Sequence, residues 1–164
     1  MDIKIRKAKL TDLEDIKKII TKAKTFMAAN GNPSQWGGAY PDENVLTKDI
    51  ENENAYVCTL DEKVIGTFSL IFGQEETYKK IYDGAWSEDL PYGTIHRLAS
   101  GGSVKGISKI VFEYAKDQIN YLRVDTHKDN EKMLAAIEKA GFKKCGIIYV
   151  SNGSERIAFD FVKK

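Results

Sequence analysis

The segment Thr94–Lys116 reads as a strand, a glycine-containing loop and a helix, and it constrains the fold most. Thr94–Ala99 is short and apolar, and Ser100–Val104 holds two adjacent glycines that interrupt both regular patterns. Apolar residues then recur at helical spacing, at Ile107, Ile110, Val111, Tyr114 and Ala115. A loop that opens a helix presents backbone N–H groups and the positive end of the helix dipole. The segment therefore predicts an anion site, above all for phosphate.

Two common phosphate-binding motifs are absent from the sequence. No G-x-x-x-x-G-K-[ST] occurs, which argues against a P-loop, and no G-x-G-x-x-G follows a strand, which argues against a dinucleotide site. Lys105 and Lys109 would add positive charge at the mouth of the loop. The alternative for this segment is a glycine-rich strand-to-helix turn that binds nothing, as many α/β proteins have.

Length and charge narrow the class of protein. The 164 residues predict one domain, 1–164, with a substantial core. The formal net charge is +1 and no basic stripe is visible, which argues against a nucleic-acid partner. The longest apolar-rich run, Val64–Gly73, is about half of a membrane span. Charges recur through residues 1–30, so neither a membrane segment nor a signal peptide is expected.

Two cysteines, Cys58 and Cys145, lie inside apolar, strand-like segments. They form no CxxC pair and have no metal-ligand spacing, so buried free thiols are expected and no metal site is predicted. Free thiols suit the cytoplasm, which is the expected location.

The first half of the chain predicts a strand, two helices and a hairpin. Asp2–Lys9 alternates as an edge strand, and Thr11 with Glu14 forms a capping box before a helix that runs to about Asn30–Gly31. The elements that follow are a loop at Gly31–Asp42, a short helix at Leu46–Asn52, and strands at Tyr56–Leu60 and Val64–Phe72 joined by a two-residue turn at Asp61–Glu62. Gly66 predicts a bulge in the second of these strands.

The second half alternates strands and helices. Gly73–Tyr92 is a polar excursion that the sequence leaves open between loop, helical turn and elaborated strand connection. The elements after Lys116 are a strand at Tyr121–Thr126, a helix capped by Asp129 or Asn130 and ended by Gly141, and a hairpin of Lys144–Val150 and Ile157–Val162. The order predicts a mixed α/β layer whose parallel strand pair, near the middle of the sheet, arises from the crossover 94–126.

Several stretches match the motif order of a known family. IRKAKLTDLEDIKKII is similar to its first strand and helix, and SVKGIS, residues 103–108, is similar to its loop Q/R-x-x-G-x-G/A, where Gly106 matches outright. DNEKMLAAIEKAGFKKCGI is similar to the closing N-x-x-A-x-x-L-Y-x-x-x-G-F, with Asn130, Gly141 and Phe142 matching. One bacterial branch of the family has segments similar to Gln35-Trp36, Ile95–Ala99 and Asp125–Asn130. Together these stretches resemble the GNAT superfamily of N-acetyltransferases over nearly the whole chain.

The resemblance implies a GNAT-like acyl-CoA N-acyltransferase fold, in which helices flank a central mixed sheet with a splayed parallel strand pair. Such enzymes bind acetyl-CoA where the two strands part. For this chain, the resemblance implies that the backbone of Leu98, Ala99 and Ser100 pairs with the pantetheine arm and that Asn130 lies near it. It also implies that the pyrophosphate is held by Ser103, Val104, Lys105, Gly106, Ile107 and Ser108.

Acetyl transfer needs an amine with a free lone pair, so a general base is expected. His96 is the first candidate, because it lies on the central strand two residues before Leu98, and some family members use a histidine in H-x-L-A. His127 is the second, with Asp125 or Asp129 to orient it. Both histidines have a structural alternative. Ile137 stands where the family has its usual proton donor, so Tyr149 is a weak candidate for that role.

Aromatic residues predict the walls of the acceptor site. Trp36, Tyr40, Tyr78 and Trp86 could supply them, although each could equally pack in the core or lie on the surface. The predicted function is transfer of an acetyl group from acetyl-CoA to a primary amine of a small molecule, amino acid or peptide. A non-catalytic acyl-CoA sensor, or an acyltransferase with another donor or a hydroxyl acceptor, are the alternatives. The oligomeric state is left open, with a homodimer as one alternative.

Overall fold

The computed structural model describes residues 2–164. The helices and strands of this part of the chain are, in order, β1 (Lys4–Lys7), α1 (Leu13–Ala29), α2 (Glu43–Glu51), β2 (Ala55–Leu60), β3 (Lys63–Phe72), β4 (Gly93–Ser100), α3 (Ile107–Gln118), β5 (Tyr121–Thr126), α4 (Glu131–Lys139), β6 (Lys143–Tyr149) and β7 (Glu155–Val162). Short 3₁₀ turns lie at Leu10–Asp12 and Glu76–Tyr78.

The strands within residues 2–164 form one mixed sheet in the order β1-β2-β3-β4-β5-β7-β6. β4 and β5 are parallel and pair at Gly93–Leu122 and Thr94–Arg123, in the first two residues of β4. The pairs β1–β2, β2–β3, β5–β7 and β6–β7 are antiparallel. The predicted mixed α/β fold with a central parallel pair is confirmed.

The chain divides into two compact units, each built from two segments. The first unit comprises the residues up to Leu70 together with His96–Ser108, and the second comprises Ile71–Ile95 and Lys109–Lys164. β3, β4 and α3 each contribute residues to both units. The expected single domain, 1–164, stays a prediction.

In the first unit, α1 packs its apolar face into a core. Ile16, Ile19 and Ile20 are buried at helical spacing and join Leu46 and Ile50 of α2 in one cluster. Full burial of such side chains contributes roughly 1.5–3 kcal/mol each. This burial explains why the sequence pattern predicted both helices, although α2 begins at Glu43, ahead of the predicted Leu46, because Asp42 caps it.

The start of α1 differs from the prediction. The capping box of Thr11 and Glu14 is wrong, because a 3₁₀ turn at Leu10–Asp12 precedes the helix. The Asp12 carboxylate instead accepts a hydrogen bond from the Lys9 backbone N–H at 2.7 Å and two from the Arg6 guanidinium at 2.8 and 2.9 Å. The hydrogen bond from Arg6 lowers the pKa of Asp12 below its usual value.

The β2–β3 hairpin follows its sequence signals. Asp61 and Glu62 form the two-residue turn with φ of +49° and +66°, the left-handed values that such hairpins require. The predicted bulge is also present, because Cys58 pairs with Gly66 while Thr59 pairs with Val64. One extra residue on β3 therefore lies beside Gly66.

In the second unit, the 73–92 excursion packs on the strands. It contains the 3₁₀ turn Glu76–Tyr78 and an isolated bridge between Tyr82 and Ile147, so it combines two of the structures left open by the sequence. Tyr78 joins the buried cluster that includes Tyr121 and Ile148. A Cβ at Gly84 would overlap the Cys145 carbonyl oxygen, so only glycine fits there.

α4 has the predicted ends. The Asn130 side chain accepts a hydrogen bond from the Met133 N–H at 3.2 Å, which makes it the N-cap. Gly141 follows the C-cap with φ of +91°, a left-handed value that favours glycine. Among residues 2–164, no helix combines the length and apolar character that crossing a membrane requires.

Candidate active site

The loop between β4 and α3 is anchored at one end and open at the other. The Gly101 N–H donates to the Ile65 carbonyl oxygen at 3.0 Å, and a Cβ on Gly101 would lie 2.7 Å from Ile19 Cδ1. Gly102 and Gly106 have φ of +83° and +85°, with open space where a Cβ would be. The loop therefore favours glycine for its backbone conformation at two positions, and a side chain at Gly101 would require the Ile19 side chain to move.

Gly66 lets the start of α3 approach β3. A Cβ on Gly66 would lie 2.9 Å from Ile107 Cγ2 and 3.2 Å from the Ala99 carbonyl oxygen. Ile107, the first residue of α3, is buried, while Lys105 and Gly106 just before it are exposed. The helix thus begins on a fixed apolar anchor with its preceding turn open to solvent.

These residues fit the phosphate groups of a coenzyme. The first N–H groups of a helix lack intrahelical partners, and the helix dipole favours negative charge there. The open space at Gly106 leaves room for a close ligand, and the exposed Lys105 supplies positive charge. Ser103, Val104, Lys105, Gly106, Ile107 and Ser108 would hold the phosphates, as predicted, and this assignment stays a prediction.

β4 is distorted at Arg97, which has φ of +52°. His96 was predicted to share a face with Leu98 if the strand alternated regularly, and the left-handed residue between them breaks that alternation. The argument from alternation therefore does not hold. His96 and Leu98 are both partly exposed, and the role of His96 as a base stays a prediction.

Arg97 is held by two partners in the first unit. Its guanidinium donates to the Asp49 carboxylate at 2.6 and 2.8 Å, and its Nη1 donates to the Tyr40 hydroxyl oxygen at 3.0 Å. Tyr40 is 44% exposed, whereas Trp36 is 9% exposed and belongs to the apolar core. Because Trp36 is buried in the core, its role is packing. Of these two predicted wall residues, Tyr40 is the one with an exposed side chain.

In the second unit, Tyr78 and Trp86 lie together. Their ring centroids are 5.0 Å apart, and Trp86 Nε1 donates to the Tyr78 carbonyl oxygen at 3.0 Å. The Tyr78 hydroxyl donates to Asp125 Oδ2 at 2.6 Å. Burial, with the Asp125 charge in addition, raises the pKa of Tyr78 well above its usual value, so this hydroxyl stays protonated.

His127 lies in the turn before α4, and its side chain is 12% exposed. Its Nδ1 accepts a hydrogen bond from the Asp129 backbone N–H at 3.0 Å, which puts the proton of the neutral ring on Nε2. The Asn130 N–H donates to the His127 carbonyl oxygen at 2.9 Å. This is the geometry of a turn histidine, and any catalytic role stays a prediction.

Tyr149 ends β6 and is 45% exposed. Its ring meets Tyr82 edge to face at 5.3 Å between centroids, so it is half of an exposed aromatic pair. Its role as a proton donor remains untested.

The sequence patterns did not predict the interactions of three polar residues near these sites. Asp49 and Arg97 form a buried ion pair, and Arg123 lies among aromatic rings beside Tyr92. One signal was available for Arg123, because alternation in YLRVDT places Tyr121, Arg123 and Asp125 on one face of β5. The Asp49–Arg97 pair links α2 to β4, which lie far apart in the sequence, and no local sequence pattern predicts it.

Several solved structures that share this fold are acetyltransferases. A GNAT-family acetyltransferase from Streptococcus agalactiae is 29% identical, with a TM-score of 0.89 over 99% of this chain and 96% of that one. A GNAT-family acetyltransferase from Listeria monocytogenes is 17% identical, with a TM-score of 0.72 over 98% and 94%. A chain of the NatC complex bound to Gag peptide and CoA is 15% identical, with a TM-score of 0.62 over 100% of both.

No protein-family model matches the chain, and no curated protein matches it in sequence. The mixed sheet, its central parallel pair and the solved acetyltransferases with the same fold define the class as an acyltransferase. The resemblance of the sequence motifs to the GNAT superfamily is confirmed, because the fold is that of solved GNAT-family acetyltransferases, one of them 29% identical over 99% of this chain.

Proposed function

We propose that this protein is an N-acetyltransferase that moves an acetyl group from acetyl-CoA to a primary amine. The observation that carries the proposal is the end-to-end similarity to the Streptococcus agalactiae acetyltransferase. The open, lysine-bearing turn ahead of α3 gives independent support, because it offers what a pyrophosphate needs. The acceptor would be a small molecule, an amino acid or a peptide.

In the proposed cofactor site, the backbone of Leu98, Ala99 and Ser100 pairs with the pantetheine arm as an added strand. Ser103–Ser108 holds the pyrophosphate through backbone N–H groups at the start of α3. Asn130 lies near the pantetheine, although its side chain is already used as the cap of α4. The Leu98 N–H polarises the acetyl carbonyl and stabilises the tetrahedral oxyanion.

In the proposed mechanism, both substrates are bound before reaction, which supplies much of the rate. His96 removes a proton from the ammonium group, and the free amine attacks the thioester carbonyl carbon. The tetrahedral intermediate loses the remaining extra proton of its nitrogen and collapses to an amide, and CoA leaves as a thiolate that takes up a proton. His127 is the second candidate for the base, and Tyr149 the candidate donor of the final proton.

The acceptor end is proposed to include Tyr40, Tyr78 and Trp86. Tyr40 keeps an exposed ring, which supports a wall role, and Trp86 is partly exposed. Trp36 is the weakest of the predicted wall residues, because its ring is committed to the core. The lack of a basic stripe supports a partner that is not a nucleic acid. No membrane partner is proposed either, and a homodimer is kept as a proposal. A cytoplasmic location is proposed from the free thiols Cys58 and Cys145.

The decisive experiment is release of free CoA thiol from acetyl-CoA in the presence of a panel of amines. Turnover with at least one amine is expected, and His96→Ala should reduce kcat/KM by about 100-fold or more, the usual contribution of a general base. His127→Ala is the comparison, with a smaller expected loss. Full activity of His96→Ala would remove His96 as the base, and no turnover with any amine would overturn the proposed activity.

A second candidate is a non-catalytic acyl-CoA sensor on the same fold. The observation that favours it is Ile137, which is fully buried where the family has its usual tyrosine donor. In that case acetyl-CoA would bind without thiol release. Longer acyl donors and hydroxyl acceptors are tested in the same assay by exchanging the thioester or the acceptor panel.

A further inference from the structure

Arg123 is a buried cation that makes no direct ion pair with a carboxylate of the described residues. The residue is 6% exposed, and within residues 2–164 it forms no ion pair with an aspartate or glutamate. The buried Asp160 is its partner on β7, and the Tyr121 hydroxyl stands between the two, accepting from Arg123 Nε at 3.2 Å and donating to Asp160 Oδ2 at 2.8 Å. Because the guanidinium does not touch that carboxylate, its other surroundings must compensate for the lost hydration.

Aromatic rings provide part of that compensation. The Arg123 Cζ lies 4.2 Å from the ring centroid of Trp86, 4.0 Å from that of Tyr92 and 5.1 Å from that of Tyr121. Such stacking stabilises a guanidinium without neutralising it. Stacking on the ring faces leaves the guanidinium N–H groups able to donate to an anion in the plane of the group.

One edge of the guanidinium is already used and another is open. Nε donates to the Tyr121 hydroxyl oxygen at 3.2 Å, and Nη2 donates to the Glu88 carbonyl oxygen at 2.9 Å. In the described part of the chain, Nη1 has no hydrogen-bond partner. The arginine is thus fixed in place by two bonds while two further N–H groups remain available.

The same arginine lines a cavity of about 560 Å³ in the second unit. Tyr78 and Tyr92 form its aromatic wall, and the exposed side chains of Gln74, Lys79 and Asp89 also line it. Lys79 and Asp89 are solvated charges of opposite sign, so their effects on a ligand largely cancel. The buried Arg123 therefore decides which ligand charge the cavity favours.

We propose that this cavity is a binding site for a small carboxylate, whose oxygens accept hydrogen bonds from Arg123 Nη1 and from the Gln74 amide. A planar carboxylate matches the guanidinium better than a spherical ion does, and the flanking rings suit a short carbon chain. The carboxylate is either part of the acyl acceptor, as in an amino acid, or belongs to a separate ligand.

Binding is tested by NMR titration of the indole N–H of Trp86, with the indole of Trp36 as an internal reference. The probe is succinate, and succinamide, its uncharged diamide, is the matched control. Succinate should shift the Trp86 signal saturably, while succinamide should leave it unchanged and the Trp36 signal should stay in place. No saturable shift with succinate, or an equal response to both compounds, would overturn the proposal.

Variants link the signal to the cavity. Arg123→Met should abolish the succinate shift. Because that buried variant could fail to fold, the exposed Gln74→Glu provides an independent test, and it should raise the succinate Kd at least threefold. Gln118→Glu, an exposed change of the same kind in α3, should leave the Kd unchanged. Equal Kd values for Gln74→Glu and Gln118→Glu would contradict the proposed site.

A kinetic arm distinguishes the two sources of the carboxylate, and it alone rests on the proposed function. Amino acids are compared as acceptors with the amines that lack only their carboxylate, such as lysine with 1,5-diaminopentane. If the acceptor supplies the carboxylate, Gln74→Glu lowers kcat/KM for amino acids selectively. If both acceptors respond alike while succinate still binds, the ligand is a separate molecule.

Discussion

Both carboxylate oxygens of Asp49 accept hydrogen bonds from Arg97, Oδ2 from Nε at 2.6 Å and Oδ1 from Nη2 at 2.8 Å. The Ser69 hydroxyl also donates to Asp49 Oδ2 at 2.8 Å. Arg97 carries the left-handed φ within β4, a conformation that costs roughly 1–2 kcal/mol in a residue with a side chain. A fixed ion pair therefore holds the strained residue next to the backbone that is proposed to meet pantetheine.

Asp49→Ala should destabilise the protein strongly. The change leaves the Arg97 guanidinium, whose side chain is 12% exposed, without its counter-charge. Loss of one partner of a buried pair typically lowers the free energy of unfolding by about 3–5 kcal/mol. Urea unfolding followed by circular dichroism measures the change. Lys17→Met, which removes an exposed pair with Glu43, is the control and should have no measurable effect.

The double variant Asp49→Leu, Arg97→Met should be less destabilised than Asp49→Ala, because neither charge is then buried alone. If Asp49→Ala unfolds at the same urea concentration as Lys17→Met, the pair does not stabilise the fold.

Gly66→Ala should destabilise the fold by steric overlap. The new Cβ would lie 2.9 Å from Ile107 Cγ2 and 3.2 Å from a backbone oxygen that cannot move easily. Overpacking of this kind costs about 1–3 kcal/mol. Because Ile107 begins α3, the CoA affinity measured by calorimetry should fall as well.

Gly106→Asp should weaken CoA binding with little steric effect on the fold. A Cβ at Gly106 meets nothing within 4 Å, so the cost to stability is the left-handed φ, about 1–2 kcal/mol. The added carboxylate repels phosphate, and CoA binding should become undetectable by calorimetry. Gly106→Ala is the matched control, which carries the strain without the charge. Unchanged CoA affinity in Gly106→Asp would remove the phosphate assignment.

Stability should fall above pH 9 through Cys58. Burial raises the pKa of this thiol from 9.0 to about 12. The folded state keeps the proton while the unfolded state releases it, so stability is complete below pH 9 and is lost as the pH rises towards 12. At pH 10 the expected loss from this group is about 1.4 kcal/mol.

The measurement compares urea unfolding of the native protein and Cys58→Ala at pH 7.5 and pH 10. Other titrating groups are common to both proteins, so the difference between their pH dependences isolates Cys58. The variant should lose less stability over this interval, and parallel losses would show that the thiol is not protected by the fold.

Glu62→Gly should stabilise the β2–β3 hairpin. Glu62 has φ of +66°, where glycine is free of the Cβ strain. An increase of about 1 kcal/mol in the free energy of unfolding is expected. Glu113→Gly, an exposed change inside α3, should have the opposite sign, a loss of about 1 kcal/mol. A loss in both variants would mean that the turn residue stabilises the protein through contacts of its side chain.

The elements that were predictable have local causes. The spacing of Ile16, Ile19 and Ile20 predicted α1 because the same face meets the core. Asn130 and Gly141 marked the ends of α4 through their own backbone preferences. Thr11 and Glu14 failed as a capping box because Thr11 lies inside the 3₁₀ turn Leu10–Asp12, whose last residue, Asp12, accepts hydrogen bonds from Arg6 and from the Lys9 N–H.

The parts of the site that were not predictable depend on residues far apart in sequence. The left-handed conformation of Arg97 occurs together with its ion pair to Asp49, which lies in α2. The sequence of β4 alone therefore does not predict the distortion of this strand. Arg123 depends on rings from the 73–92 excursion, whose irregular path has no periodic signal. From sequence alone, a charged residue in a strand is predicted to be exposed, because the partners that would allow its burial are not visible there.

The two-segment composition of the first compact unit sets the order in which the growing chain can complete it. A nascent chain that ends at Leu70 lacks Ala99, which belongs to the core, and Gly101, whose N–H pairs with the Ile65 carbonyl. Translation must pass through the 73–92 excursion before His96–Ser108 emerges. The stretch proposed to bind the coenzyme is therefore also the last piece of that unit to be synthesised, and no earlier fragment contains a finished core.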